Sequence, residues 1–198
     1  MPTDQLNWLL SPQAAGAAAL LIFLAGLSDG VGSQGVVLLI NRISPLRFMV
    51  GLAASALLFL LSAALWMAGL WLAFGALYRV VIPLSAFFVA VSAAYAPLLL
   101  GALGLLPVVG RGIVWLLRLW SFAAAVAAIG AVTGLGLGQA ALGALLGSLL
   151  VEAARWPLGE PARAFGERLL AAATGRPRLL KRHELPDVIP GYEPAEGR

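Results

Sequence analysis

One carboxylate, Asp29, stands inside an apolar run, with Ser28, Ser33 and Gln34 beside it. An acid at bilayer depth costs roughly 2.5 to 3.5 kcal/mol on insertion scales, so it needs a partner or a purpose. Three arrangements meet that need. Asp29 can be a proton or cation site with the neighbouring hydroxyls and amide as auxiliary oxygens. It can be the centre of a polar knot bonded to neighbouring helices, or it can be kept wet by a thinned or water-filled bilayer. Arg118 is its natural counter-charge, lying about one and a half turns inside another apolar run. The plainer reading has Arg118 snorkelling back to the headgroups. Pairing with Asp29 is the alternative, although the two stand at somewhat different depths by residue count.

Other chemistry-bearing patterns are sparse. Gly30-x-Gly32-x-x-Gly35 matches the spacing of a dinucleotide-binding turn. That fingerprint works only between a strand and a helix with a water-accessible helix N-terminus, so here the glycines read as close helix packing or a break. His183 is the sole histidine, and one imidazole beside Arg182 is no metal site. Cysteine is absent, which removes thiolate ligands, disulfides and cysteine nucleophiles. No paired carboxylates, nucleophile elbow, His-Glu-x-x-His or phosphate-binding loop occurs. Neither enzyme activity, nor a metal, nor a cofactor is expected.

The elements that must position Asp29 are membrane helices. A chain of 198 residues that is 61% hydrophobic and 11% charged lacks the roughly one-quarter charged fraction of a soluble domain. Its mean hydropathy is +0.95. Five apolar stretches, 14–40, 48–77, 80–106, 113–132 and 137–151, approach or exceed the ~20 residues of a spanning helix. Threading the chain five times leaves Arg79 as the one basic residue outside, among 13 Lys and Arg. Cytoplasmic retention of Lys and Arg then places the N-terminus outside and the C-terminus inside. The same asymmetry explains the pI near 10.3 without nucleic acid, since no stacking aromatics interleave the basic residues. The lead before the first span has no positively charged n-region, so that span reads as an anchor. The expected fold is an all-α polytopic bundle, residues 1–156, followed by a cytoplasmic tail, residues 157–198.

Within that bundle, Ser28 to Gly35 reads as an interruption of the first span. Ser44 and Pro45 have the types of an N-cap and a first helical residue. Trp66, Trp71, Tyr78 and Arg79 suit the end of span two at an interface. Pro97 should kink span three after Tyr95. A glycine-rich turn, 133–138, joins spans four and five, and Gly143 and Gly147 form a small-xxx-small pair suited to close helix approach. In the tail, 161–174 reads as a short amphipathic juxtamembrane helix. Arg176, Arg178, Lys181 and Arg182 form a cluster for anionic lipid or an acidic partner. The proline-rich stretch 185–194 reads as an extended strap.

Two segments, Ser33-Gln-Gly-Val-Val-Leu-Leu-Ile-Asn-Arg-Ile-Ser-Pro-Leu-Arg-Phe48 and Tyr95-Ala-Pro-Leu-Leu-Leu-Gly-Ala-Leu-Gly-Leu-Leu-Pro107 continuing to Trp120, resemble the Yip family of five-span membrane proteins. The likeness is to its short bacterial, especially cyanobacterial, members and covers roughly 28–132. It implies a non-enzymatic bundle in a bacterial inner (plasma) or thylakoid-type membrane. The long cytosolic N-terminal region and inside N-terminus of eukaryotic relatives have no counterpart here, so GTPase binding does not carry over.

The leading expectation is a protein that works by helix association, with itself or as a small subunit of a larger membrane assembly. The alternative is a small transporter or ion- or proton-conducting protein using a broken first span around Asp29. Asp29 sealed among helices, with glycine faces turned outward, would favour assembly. An opening from water to Asp29 would favour transport.

Overall fold

The computed structural model describes residues 8–40, 45–106 and 109–153, apart from the side chains of 34–40, 45 and 47. All regular structure among them is helical. Ser11 accepts the Ala14 N–H through its hydroxyl at 3.2 Å and so caps α1, Pro12–Ile40, with Pro12 in the first turn. Helix α2 is Pro45–Tyr78 and ends at Arg79, whose φ of 54° turns the backbone out of the helix. Helix α3, Leu84–Ser92, continues without a break into a 3-10 segment, Ala93–Leu105. Helix α4, Gly110–Thr133, closes on Gly134 at φ 72°, a left-handed conformation open to glycine, and α5, Leu137–Ala153, folds back.

Four of these elements are long and apolar enough to cross a membrane: Pro12–Ser33, Phe48–Tyr78, Leu84–Leu105 and Gly110–Thr133. The described part of α5 is a shorter apolar helix. The tail from 154 onward, with its juxtamembrane helix, basic cluster and strap, lies outside the described residues, as do the inner turn at Ser44 and Pro107.

The third span is the centre of the bundle. Of its most apolar stretch 56% is buried, against 17% for α4. Phe87, Val91, Ala94, Tyr95 and Leu98 pack with Ile22 and Ala25 of α1, Met67, Leu70 and Phe74 of α2, and Leu117, Ala125 and Ile129 of α4. Tyr95 meets Phe59 and Trp66 edge-on, with ring centroids 5.9 and 6.4 Å apart, an arrangement favoured by the aromatic quadrupole.

One expectation about the spans is corrected. Span one is not broken, because α1 runs as one α-helix through Ser28-Asp29-Gly30 to Ile40. The irregular element is span three, where Pro97 brings a change of helix type rather than a simple kink. Thirteen residues is long for a 3-10 helix, whose hydrogen bonds are poorly aligned. Two serines from other helices support it. With i→i+3 bonding, the carbonyl left without an N–H by Pro97 is that of Ala94, and the Ser121 hydroxyl donates to it at 2.6 Å. The Ser28 hydroxyl donates to the Leu99 carbonyl at 2.7 Å and accepts from the Ala102 N–H at 2.9 Å. Such side chains are how irregular backbone is satisfied at membrane depth.

The close helix approach expected at Gly143 and Gly147 is made within the chain. A Cβ at Gly143 would sit 2.5 Å from Phe74 Cζ, and one at Gly147 would sit 2.7 Å from Leu70 Cδ2. This face is used inside the chain, seating α5 on α2, and is not turned outward. Trp66 donates to Ser148 Oγ at 3.1 Å and Tyr78 to the Gln139 carbonyl at 3.1 Å along the same contact.

Candidate functional site, a charged cleft between helices one and four

Helix α1 approaches the 3-10 segment so closely that only glycine fits. A Cβ on Gly32 would overlap the Gly101 carbonyl oxygen, and one on Gly101 would lie 3.0 Å from the Asp29 Cα. Gly104 continues this contact toward Gly110, where a Cβ would overlap the Gly104 carbonyl. Gly26 and Gly30, one turn apart, do the same work against Phe59 and Leu52 of α2. The glycines of the pattern 30-x-32-x-x-35 that can be seen are therefore packing positions, and Gly30 and Gly32 face different neighbours.

Between α1 and α4 this arrangement leaves a cleft of about 460 Å³. Its walls are Asp29, Gly32 and Ser33 on one side and Gly110, Arg111, Val114, Trp115 and Arg118 on the other, with Gly104 as floor. Positions 29, 32 and 33 share one face of a helix, as do 111, 114, 115 and 118. The glycines create the volume by withholding side chains. Arg118 Nη2 lies 3.9 Å from Asp29 Oδ1, an ion pair longer than a hydrogen bond. Their side chains are 61% and 23% exposed, so the pair contributes little to stability.

The cleft brings Asp29 and Arg118 together, against the plainer reading in which Arg118 snorkels alone. It does not show the expected polar knot, because the Ser33 hydroxyl donates to the Asp29 backbone carbonyl at 2.8 Å and Ser28 serves the 3-10 segment. The Gln34 side chain lies outside the described residues. Arg111, in sequence one of the inner-side basic residues, lines the cleft with Trp115, and Gly101, Gly104 and Ser121 have structural roles that their residue types alone do not announce. A signal for them exists. Arg111, Trp115 and Arg118 recur at helical spacing, and Gly101 and Gly104 stand three apart, the repeat of a 3-10 helix.

Apolar helices of spanning length, a buried irregular span and a charged cleft at its edge define a helical membrane protein. No family model, curated protein or solved structure matches the chain. The likeness to the Yip family accordingly rests on its two quoted segments and enters only the proposal below.

Proposed function

We propose that the chain is a non-enzymatic five-span protein of a bacterial plasma or thylakoid-type membrane, N-terminus outside and C-terminus inside. It works by helix association within the bilayer, as a Yip-type scaffold or an accessory subunit of a larger membrane complex. The observation that supports this is Trp120. It lies ten residues from one end of α4 and thirteen from the other, and it is 58% exposed. Tryptophan belongs at membrane interfaces, where its N–H meets water. In the span middle that donor faces hydrocarbon, at a cost, unless another helix accepts it. Trp66 and Trp71, by contrast, donate to Ser148 and to the Ile82 carbonyl within the chain. Trp120 has no such acceptor among the described residues. Exposed Trp115, Leu116 and Leu119 surround it on the thinly covered α4.

Purification in mild detergent and native mass spectrometry test the reading. Wild-type protein should elute with a second copy or a partner chain. Trp120→Phe keeps the ring and removes the donor; an interhelical hydrogen bond of about 0.6 to 1.7 kcal/mol predicts roughly 3- to 18-fold weaker association. A monomeric wild type without companions refutes the proposal, as does association indifferent to both Trp120→Phe and Trp120→Ala.

The opening to Asp29 favours a second reading, conduction of protons or ions. Its charge balance argues against cations, because two guanidinium groups face one carboxylate. Its test is flux in proteoliposomes: a proton or cation flux that Asp29→Asn removes would replace the association reading.

A further inference from the structure

We propose that the cleft between α1 and α4 is a headgroup site for a membrane phospholipid with one net negative charge, the phosphodiester held on Arg111 and the acyl chains lying along the Trp115 side of α4. Charge comes first. Asp29 and Arg118 neutralise one another at 3.9 Å, while Arg111 has no carboxylate partner among the described residues. Among the described residues the cleft therefore carries one uncompensated positive charge, and a phosphodiester monoanion balances it.

Depth agrees with the charge. The apolar stretch of α4 begins at Gly110, so the Arg111 end of the cleft lies toward the headgroup layer of the bilayer. Arg111 is in the first turn of α4, and Arg118 is two turns further in, about 10 Å along the axis. The Ser33 hydroxyl lines the same cleft as Arg111. Trp115, 63% exposed at the rim, offers an apolar ring beside a polar edge, which suits the boundary between headgroup and chain. The volume, about 460 Å³, falls in the range of small-ligand sites and suits a headgroup whose chains remain outside. A water-soluble phosphate ester would satisfy Arg111 equally well but would make no use of the apolar ring of Trp115 at the rim.

The experiment uses the full chain, stripped of lipid in mild detergent and offered equal phosphatidylglycerol and phosphatidylcholine, with retained lipid counted by native mass spectrometry. Phosphatidylglycerol should be retained preferentially. Arg111→Gln should weaken its retention ~5-fold, the share expected of one cation near the membrane surface. Arg111→Lys, which preserves charge and topology, should restore most of it. Ser33→Leu fills the cleft without altering charge and should also lower retention, while Arg79→Gln at the opposite end of α2 should not. Equal retention of the two lipids, or phosphatidylglycerol retention unaffected by Arg111→Gln and Ser33→Leu, overturns the proposal. Displacement of bound lipid by millimolar glycerol phosphate or inorganic phosphate would assign the site to a soluble phosphate and overturn the lipid source.

Discussion

Gly16 and Gly32 lie on the same helix, yet replacing each by alanine should move stability in opposite directions. At Gly16 a Cβ meets nothing within 4 Å, so Gly16→Ala gains only the intrinsic preference of alanine for helix, about 0.8 to 1 kcal/mol. At Gly32 the same gain is available, but the new methyl would overlap the Gly101 carbonyl oxygen and come close to the Ala102 Cα. Both are backbone atoms, so no rotamer change relieves the clash, and α1 must move away from the 3-10 segment. Overpacking typically costs about 1 to 3 kcal/mol. Moving α1 also stretches the two Ser28 hydrogen bonds, each about 0.6 kcal/mol in membrane proteins. The expected net effect is a loss of about 1 to 3 kcal/mol for Gly32→Ala beside a small gain for Gly16→Ala. Reversible unfolding in mixed micelles, followed by near-ultraviolet circular dichroism of the buried aromatics, measures both. Equal effects of the two variants would mean that α1 and the 3-10 segment do not cross at Gly32.

Two other expectations follow from the same contacts. Ser28→Ala should destabilise by about 1 kcal/mol, and Ser121→Ala by about half that, because the first strands two backbone groups of the irregular span and the second strands one; a double variant no worse than Ser28→Ala alone would show that they do not support it independently. Topology is open to single-cysteine labelling, since the chain has no cysteine of its own. In intact cells a membrane-impermeant thiol reagent should label a cysteine at Thr3 and spare one at His183, and the reverse pattern would refute an outside N-terminus.

Much of the helical layout was legible because its signals are summed over many residues. The apolar stretches 14–40, 48–77 and 113–132 lie within α1, α2 and α4, with ends displaced by only a few residues. The start of α2 at Pro45 followed from local chemistry, a proline whose missing N–H is harmless in the first turn. What failed was the inference from composition to geometry. Glycine and polar residues at 28–35 suggested a break in α1, but the same residues serve equally as flat contacts and hydrogen-bond donors for a neighbour. The irregularity lies in that neighbour, and it is Pro97 together with Gly101 and Gly104 that marks it.

The cleft was half legible for a related reason. Sequence displays charges by their depth along one helix, and by that measure Asp29 and Arg118 are mismatched. Contact depends on how helices cross and on where long side chains can reach, and the Gly32–Gly101–Gly104 crossing draws α1 and the 3-10 segment together at the edge of α4. Once those backbones touch, an acid on α1 and bases on α4 necessarily share the space left by the absent side chains. A single packing device therefore accounts for both features of this protein. The glycines that allow the irregular span to be held by Ser28 also open the polar cleft at its end, so substitutions that damage the crossing should disturb the cleft as well, whereas Arg111→Gln should alter the cleft and leave the crossing intact.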